Sequence, residues 1–187
     1  MPNQTSKSQP LRPVITTEQI EKRILEMARQ ISDHYRGQTL HILAVLENSF
    51  MFMADLVRLL EVPVVCTFIK PKYVEKQQGG NAPPMLEILF STEVDIRRKH
   101  VLLVEGLVNS GVTTDFLMAD LQARGAASVK LATLLDRQTA RRVQVQPDYF
   151  GFLVDEPFLV GYGLGSSQQT CRNLPFLALA NESATMT

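Results

Sequence analysis

Five side chains within one short stretch could do chemistry together: Glu105, Asn109, Ser110, Thr113 and Thr114. They follow an apolar run at residues 101–104 that suits a buried strand, and helical spacing begins at Val112. A strand, a tight loop and a helix start in this order point backbone N–H groups and hydroxyls at an anion, with the positive end of the helix dipole behind it. Ser110, Gly111, Val112, Thr113 and Thr114 therefore form a candidate phosphate cradle. Ser and Thr also cap ordinary helices, so the motif alone leaves both uses open. The residues just upstream are less usual. Gly106 and Asn109 stand where a site acting on sugar hydroxyls, a metal or a proton would carry carboxylates, and only Glu105 is acidic. An amide can donate a hydrogen bond, but it is no useful base near neutral pH.

The elements that must hold this loop follow from the hydrophobic pattern. Thr16-Thr17-Glu18-Gln19 is a capping-box pattern, and Ile20, Ile24, Met27, Ala28 and Ile31 recur at helical spacing. A helix is predicted to about Tyr35, ended by Gly37. Strands are expected at 40–46, 63–69, 85–90, 100–104 and 128–135, with short ones at 142–145, 149–153 and 159–161. Helices are expected at 49–60, turning Phe50, Met53, Ala54, Val57 and Leu60 inward, and at 112–124. Residues 70–84 are polar and rich in Pro and Gly, which predicts a mobile loop or lid at the tip of a hairpin. Residues 1–12 read as a flexible arm and 181–187 as a tail around a single domain at 13–180. Apolar strands alternating with helices predict an α/β domain with a mainly parallel sheet covered on both faces. Ligands of such sheets bind beyond the carboxyl ends of the strands, where the 105–113 loop is expected.

Bulk composition narrows the function. The 187 residues carry no net formal charge, with 45% apolar and 20% charged residues. That balance argues against nucleic-acid binding through bulk electrostatics. Arg97-Arg98-Lys99 and Arg141-Arg142 read as solvated turns. Cys66 and Cys171 have no metal-ligand spacing, and Cys66 sits in an apolar strand pattern as a small core residue. The polar opening has no secretory pattern and no stretch approaches the ~18 apolar residues of a membrane span. A cytoplasmic protein with reduced thiols and no membrane partner is expected.

Three separated stretches carry a resemblance: Ser49-Phe50-Met51-Phe52-Met53-Ala54-Asp55-Leu56, the 101–113 loop, and Phe158-Leu159-Val160-Gly161-Tyr162-Gly163-Leu164 followed by Arg172-Asn173-Leu174-Pro175. In order and spacing they resemble the hypoxanthine-guanine phosphoribosyltransferase family over about residues 12–180. The resemblance implies a type I phosphoribosyltransferase fold with a small hood or lid. It implies transfer of ribose from phosphoribosyl pyrophosphate to a 6-oxopurine, with Mg2+ on the pyrophosphate. It also implies a purine base, a purine nucleotide or phosphoribosyl pyrophosphate as ligand, and a homodimer or homotetramer.

Carried over residue by residue, the resemblance divides the site. The family loop reads Val-Glu-Asp-x-x-Asp-Thr-Gly-x-Thr. Here Glu105 is kept, Gly106 replaces a ribose-binding acid, and Asn109 replaces the acid beside purine N7. Gly106 could instead merely ease a tight turn. Ser110 through Thr114 keep the 5′-phosphate cradle. Glu47 and Asn48 stand in the pyrophosphate loop where the family has Lys-Gly, which turns a cation into an anion. Gly165 follows Leu164 where the family places a metal-binding Asp, leaving Glu105 as the remaining metal ligand. Arg137 stands for the Lys that reads the C6 oxygen, with a planar fork in place of a point charge. Phe158 corresponds to the ring that stacks on the purine and Leu159 to the backbone at its edge, with Phe158 as a core residue the other reading. Arg172 corresponds to a pyrophosphate-side arginine, or else makes a surface salt bridge. Tyr73 matches the tyrosine of the closing loop, although Lys72 replaces the family Ser.

Four departures at the reacting centre, beside intact fold-forming stretches, favour a family member that binds a purine nucleotide or related phosphorylated ligand with weak or absent catalysis. The rival is a working hypoxanthine/guanine phosphoribosyltransferase that uses Mg2+ through Glu105. A third reading is a structural subunit paired with an active relative.

Overall fold

A computed structural model describes residues 11–74, 85–90, 95–156, 158–166 and 168–180. The first elements are a short strand β1 (Pro13–Ile15) and helix α1 (Thr17–His34). The capping box forms as its sequence requires: Gln19 N donates to Thr16 Oγ1 (3.4 Å) and Thr16 N to Gln19 Oε1 (2.8 Å). All five apolar positions expected on the inner face of α1 are buried, and Gly37 takes a φ of 76° just past the helix end.

Strand β2 (Leu40–Val45), helix α2 (Phe50–Leu59) and strands β3 (Val64–Val74), β4 (Met85–Phe90) and β5 (His100–Val108) follow. Helix α3 (Val112–Ala123), strand β6 (Ser128–Asp136), a 3-10 turn (Gln138–Ala140), β7 (Tyr149–Leu153), β8 (Leu159–Val160) and β9 (Leu177–Leu179) complete the order. The main sheet runs β4-β3-β2-β5-β6-β7. Its five strands from β3 to β7 are parallel, and β4 joins β3 as an antiparallel edge. A small antiparallel sheet, β1-β9-β8, stands apart from it. This is the α/β architecture expected, a type I phosphoribosyltransferase fold.

Strand periodicity divides the core into two layers. Leu102 and Val104 of β5 join the cluster under α1 and α2, while Val101 and Leu103 join the one under α3. Because both faces are covered, β5 is apolar without alternation, as a parallel strand should be. Among the described residues no helix is long and apolar enough to cross a membrane.

Several expectations need correction. Helix α2 turns Phe52, Met53 and Leu56 inward, and leaves Phe50 and Ala54 exposed. Its Phe-Met-Phe-Met start is apolar all round, so periodicity could not set its phase. Strand β5 runs four residues past the predicted 104, and so carries Glu105 and Gly106 within the sheet. Strand β3 likewise continues through Lys70 to Val74 and pairs with β4, so Tyr73 belongs to a strand opposite Leu86. Pro71 is tolerated because β2 pairs with β3 only as far as Ile69, leaving an open edge. The tip of the hairpin, 75–84, lies outside the described residues, as do most of the proposed arm and the tail. Residues 142–145 form no strand. Val145 N bonds locally to Val143 O (2.9 Å), and the two valines pack toward α3 from a loop. Cys66 is exposed, since β4 covers β3 only from Ile69 onward.

Candidate functional site

The loops after β2, β5 and β6 and the turn after β8 are tied to one another by contacts between distant residues. Ser49 Oγ donates to Val45 O (2.6 Å) and starts α2. Tyr162 donates its hydroxyl hydrogen to Asp55 of α2, which joins two of the motif stretches. Arg142 N donates to Ser110 O (2.9 Å) and Arg137 N to Val108 O (3.0 Å), laying the β6 loop against the phosphate loop.

Gly111 caps α3 at a φ of 78°, and no side chain caps it there. The leading N–H groups of a helix without a capping side chain are the elements of an anion site. Glycine is needed at 111 twice over. Its left-handed conformation disfavours a side chain, and a Cβ would lie 3.0 Å from Arg141 Cδ. Val112 and Asn109 are exposed and Ser110 and Thr113 half-buried at this mouth. Thr114 is the exception in the predicted cradle. It is buried, and its hydroxyl lowers the burial-raised pKa of the neighbouring Glu105 carboxyl, so its side chain is not offered to solvent at this mouth.

Arg141 was expected in a solvated turn, yet its side chain is only 13% exposed and pairs with Asp136, itself 1% exposed. Gln138 Nε2 donates to the other Asp136 oxygen (3.1 Å). A signal for this burial was present in the sequence: Arg141 alternates with Arg142 and Gln144 in step with Val143 and Val145. A cleft of about 660 Å³ opens at Asp136, Gln138, Arg141 and residues 143–146, within the range of small-molecule sites.

Glu105 is buried in β5, and its Oε1 has no hydrogen-bond partner among the described residues. Burial pushes its carboxyl up to about 7, with the Thr114 hydroxyl and the Arg141 charge drawing it partly back. A carboxyl raised on folding binds its proton more tightly in the folded state. Its stabilising contribution is therefore full below about 4.5 and lost as pH rises through about 7. Measured against Glu105→Gln, wild-type stability should fall by on the order of 3 kcal/mol between pH 5 and 7.5. Urea denaturation of both proteins at the two pH values reads this. Parallel profiles would mean that the folded carboxyl ionises normally.

Glu47 and Asn48, which the resemblance assigns to the pyrophosphate side, gather around Arg172. Its Nη1 donates to Asn48 Oδ1 (2.8 Å) and to Gly163 O, and its Nη2 to Gln169 Oε1 and to Glu47 (3.4 Å). With 19% of its side chain exposed it is a pinned internal cation, more than a surface ion pair. Glu47 also accepts from Lys70 Nζ (2.7 Å), and that bond and charge hold its carboxyl below the usual range. A Cβ on Gly165 would lie 2.9 Å from Arg172 Cζ, so the guanidinium fills the space a side chain there would use. Gly106 eases no turn: it lies in β5, and a Cβ there would sit 2.7 Å from the Asn48 carbonyl carbon. Lys70, Gln169 and the Asn48 carbonyl had no motif to announce them.

Magnesium wants hard oxygen ligands in near-octahedral order, with carboxylate charge. Glu105 is buried and its carboxyl is pushed up to about 7, Glu47 is held by two cations, and Gly165 offers no ligand. Among the described residues no group of three or more Asp, Glu, His and Cys could hold a metal ion. Of the described residues at this site only Glu105 could contribute a carboxylate, so magnesium would rest mainly on ligand oxygens and water.

On the base side Phe158 is 61% exposed, which removes the core reading for its ring. Leu159 is buried in β8, and Ala180 N donates to Phe158 O (2.9 Å) to fix the strand. Arg137 is half-buried, with its Nε buried and lacking a partner among the described residues. The side chain of Tyr73 lies outside the described ones.

Comparison with known proteins agrees with this fold. The model of the phosphoribosyl transferase domain matches residues 15–167. The hypoxanthine phosphoribosyltransferase of Salmonella typhimurium is 35% identical over 166 residues, covering 88% of this chain and 92% of that protein. The crystal structure of a hypoxanthine-guanine phosphoribosyltransferase from Bacillus anthracis superposes with a TM-score of 0.82 at 32% identity, covering 92% of this chain and 100% of that one. The bifunctional protein TilS/HprT of Listeria monocytogenes is 30% identical over 169 residues, 89% of this chain. The chain spans only 25% of that relative's length. On its motifs, its fold and these relatives, the chain belongs to the hypoxanthine-guanine phosphoribosyltransferase family.

Proposed function

We propose that the chain binds a purine nucleoside monophosphate or a related phosphorylated ligand and turns it over weakly or not at all. The observation that carries this reading is the contrast between the end of β5 and the loop that follows it. Residues 110–113 present a helix start without a capping side chain, whereas β5 ends on a buried Glu105 and a bare Gly106 and is followed by an amide at Asn109. The 5′-phosphate would lie on Ser110, Gly111, Val112 and Thr113. The base would lie between Phe158, the Leu159 backbone and Arg137, and the exposed Phe158 ring is available as a stacking surface.

A second reading has support from the comparisons, since the relatives are named as hypoxanthine or hypoxanthine-guanine phosphoribosyltransferases. It is purine salvage: base and phosphoribosyl pyrophosphate to nucleoside monophosphate and pyrophosphate. Magnesium belongs to that reading alone. Self-association and a cytoplasmic location accompany both readings as proposals from the resemblance. Calorimetric titration with IMP and GMP tests the binding claim. Dissociation constants below about 1 mM, some −4 kcal/mol, are expected, and no heat of binding at millimolar nucleotide overturns it.

A further inference from the structure

Glu47 lies just past the end of β2 and reaches two cations from different parts of the chain. Lys70 comes from β3 and Arg172 from the segment after β8. The cluster adjoins the ligand loop, because Asn48, which accepts from Arg172, packs its carbonyl against Gly106 four residues before Ser110. Two cations beside a phosphate cradle would ordinarily make a second anion site. Guanidinium groups recognise carboxylate and phosphoryl oxygens through the same donor fork.

Here that site already holds an anion. Arg172 directs both terminal nitrogens to protein acceptors, Asn48, Gly163, Gln169 and Glu47. Lys70 is engaged by Glu47 at 2.7 Å. We propose that Glu47 is an internal stand-in for a ligand's diphosphate: it fills the Lys70–Arg172 half-site, so that the pocket accepts a nucleoside 5′-monophosphate and discriminates against ligands bearing a pyrophosphoryl group. This rests on the nucleotide-binding reading above and adds ligand selection to it.

The size of the effect follows from exposure. The Glu47 side chain is 50% exposed and that of Lys70 54%, so solvent screens both. An incoming polyanion must displace the carboxylate from both cations and approach its charge, which is an obstacle and not a seal. Removing the charge should strengthen binding of inorganic pyrophosphate by about two- to fivefold, the scale of one solvent-screened charge pair.

The test is calorimetry of inorganic pyrophosphate and of GMP with the wild-type chain, Glu47→Gln, Glu47→Ala, and Glu47→Gln combined with Lys70→Ala. Each titration is run with and without magnesium. Pyrophosphate is expected to bind both single variants about two- to fivefold more tightly than wild type, and the double variant should lose that gain. The GMP-to-pyrophosphate affinity ratio should fall accordingly. Equal pyrophosphate affinity in the wild type and both single variants overturns the proposal, as does tight pyrophosphate binding by the wild type. Failure of GMP to bind the wild type would count against the nucleotide reading, while the pyrophosphate series would still decide the role of Glu47. The two substitutions at a half-exposed position guard against misfolding of either one, and a thermal melt of each confirms the fold.

Discussion

Replacing Arg141 by methionine is expected to lower the unfolding free energy by about 3–5 kcal/mol. In a chain of this length that corresponds to a fall of roughly 10 °C in melting temperature. The reason lies in Asp136, whose side chain is 1% exposed and which would keep only the Gln138 amide as a side-chain donor. A buried carboxylate that loses its cation must stay charged at high cost or take up a proton. The Arg141 side chain also covers Gly111, so the start of α3 should loosen and nucleotide affinity should drop with stability. The double variant Asp136→Asn/Arg141→Met should recover part of the loss, since it removes the stranded charge. Thermal and urea denaturation followed by circular dichroism read all three proteins. A loss below about 1 kcal/mol would return Arg141 to the ordinary surface class.

The architecture was legible where local pattern and tertiary demand agree. Helix α1 has a capping box and one apolar stripe, and it forms within a residue of its expected bounds. Strands β2 and β6 are apolar runs closed by polar residues, and both appear where expected. Helix α2 lacked a polar face to set its phase. Strand β5 was cut short at Val104 because Glu105, Gly106 and Asn109 read as loop residues. Pairing with β6 carries it on to Val108 in spite of them. Strands β1 and β9 are too short to show a period and form by pairing with each other.

The site was legible as a set of motifs and not as a set of contacts. Glu47 and Lys70 are 23 residues apart, and Asn48 and Arg172 are 124 apart. No local rule joins them. That gap changes the meaning of two substitutions. Gly106 resembled the plain loss of an acid, but the Asn48 backbone occupies the space a Cβ would need. Gly165 resembled the plain loss of a metal ligand, but the Arg172 guanidinium stands over it. The surroundings fit these glycines. Writing single acids back would therefore collide with backbone or guanidinium, and would not simply restore a function.

The second large effect is on turnover, and it is also the most direct test of the central claim that this pocket holds a nucleotide without making one. A spectrophotometric assay would use hypoxanthine or guanine, phosphoribosyl pyrophosphate and magnesium, with an intact family relative measured beside this chain. Asn109 cannot accept a proton, and loss of one general acid/base group typically costs about 10²–10⁴ in rate. The absent ribose acid and metal carboxylate act at the same centre. The expected result is a rate at least about 10²-fold below that of the relative. Turnover near 1 s⁻¹, within the ordinary range for enzymes, would contradict it.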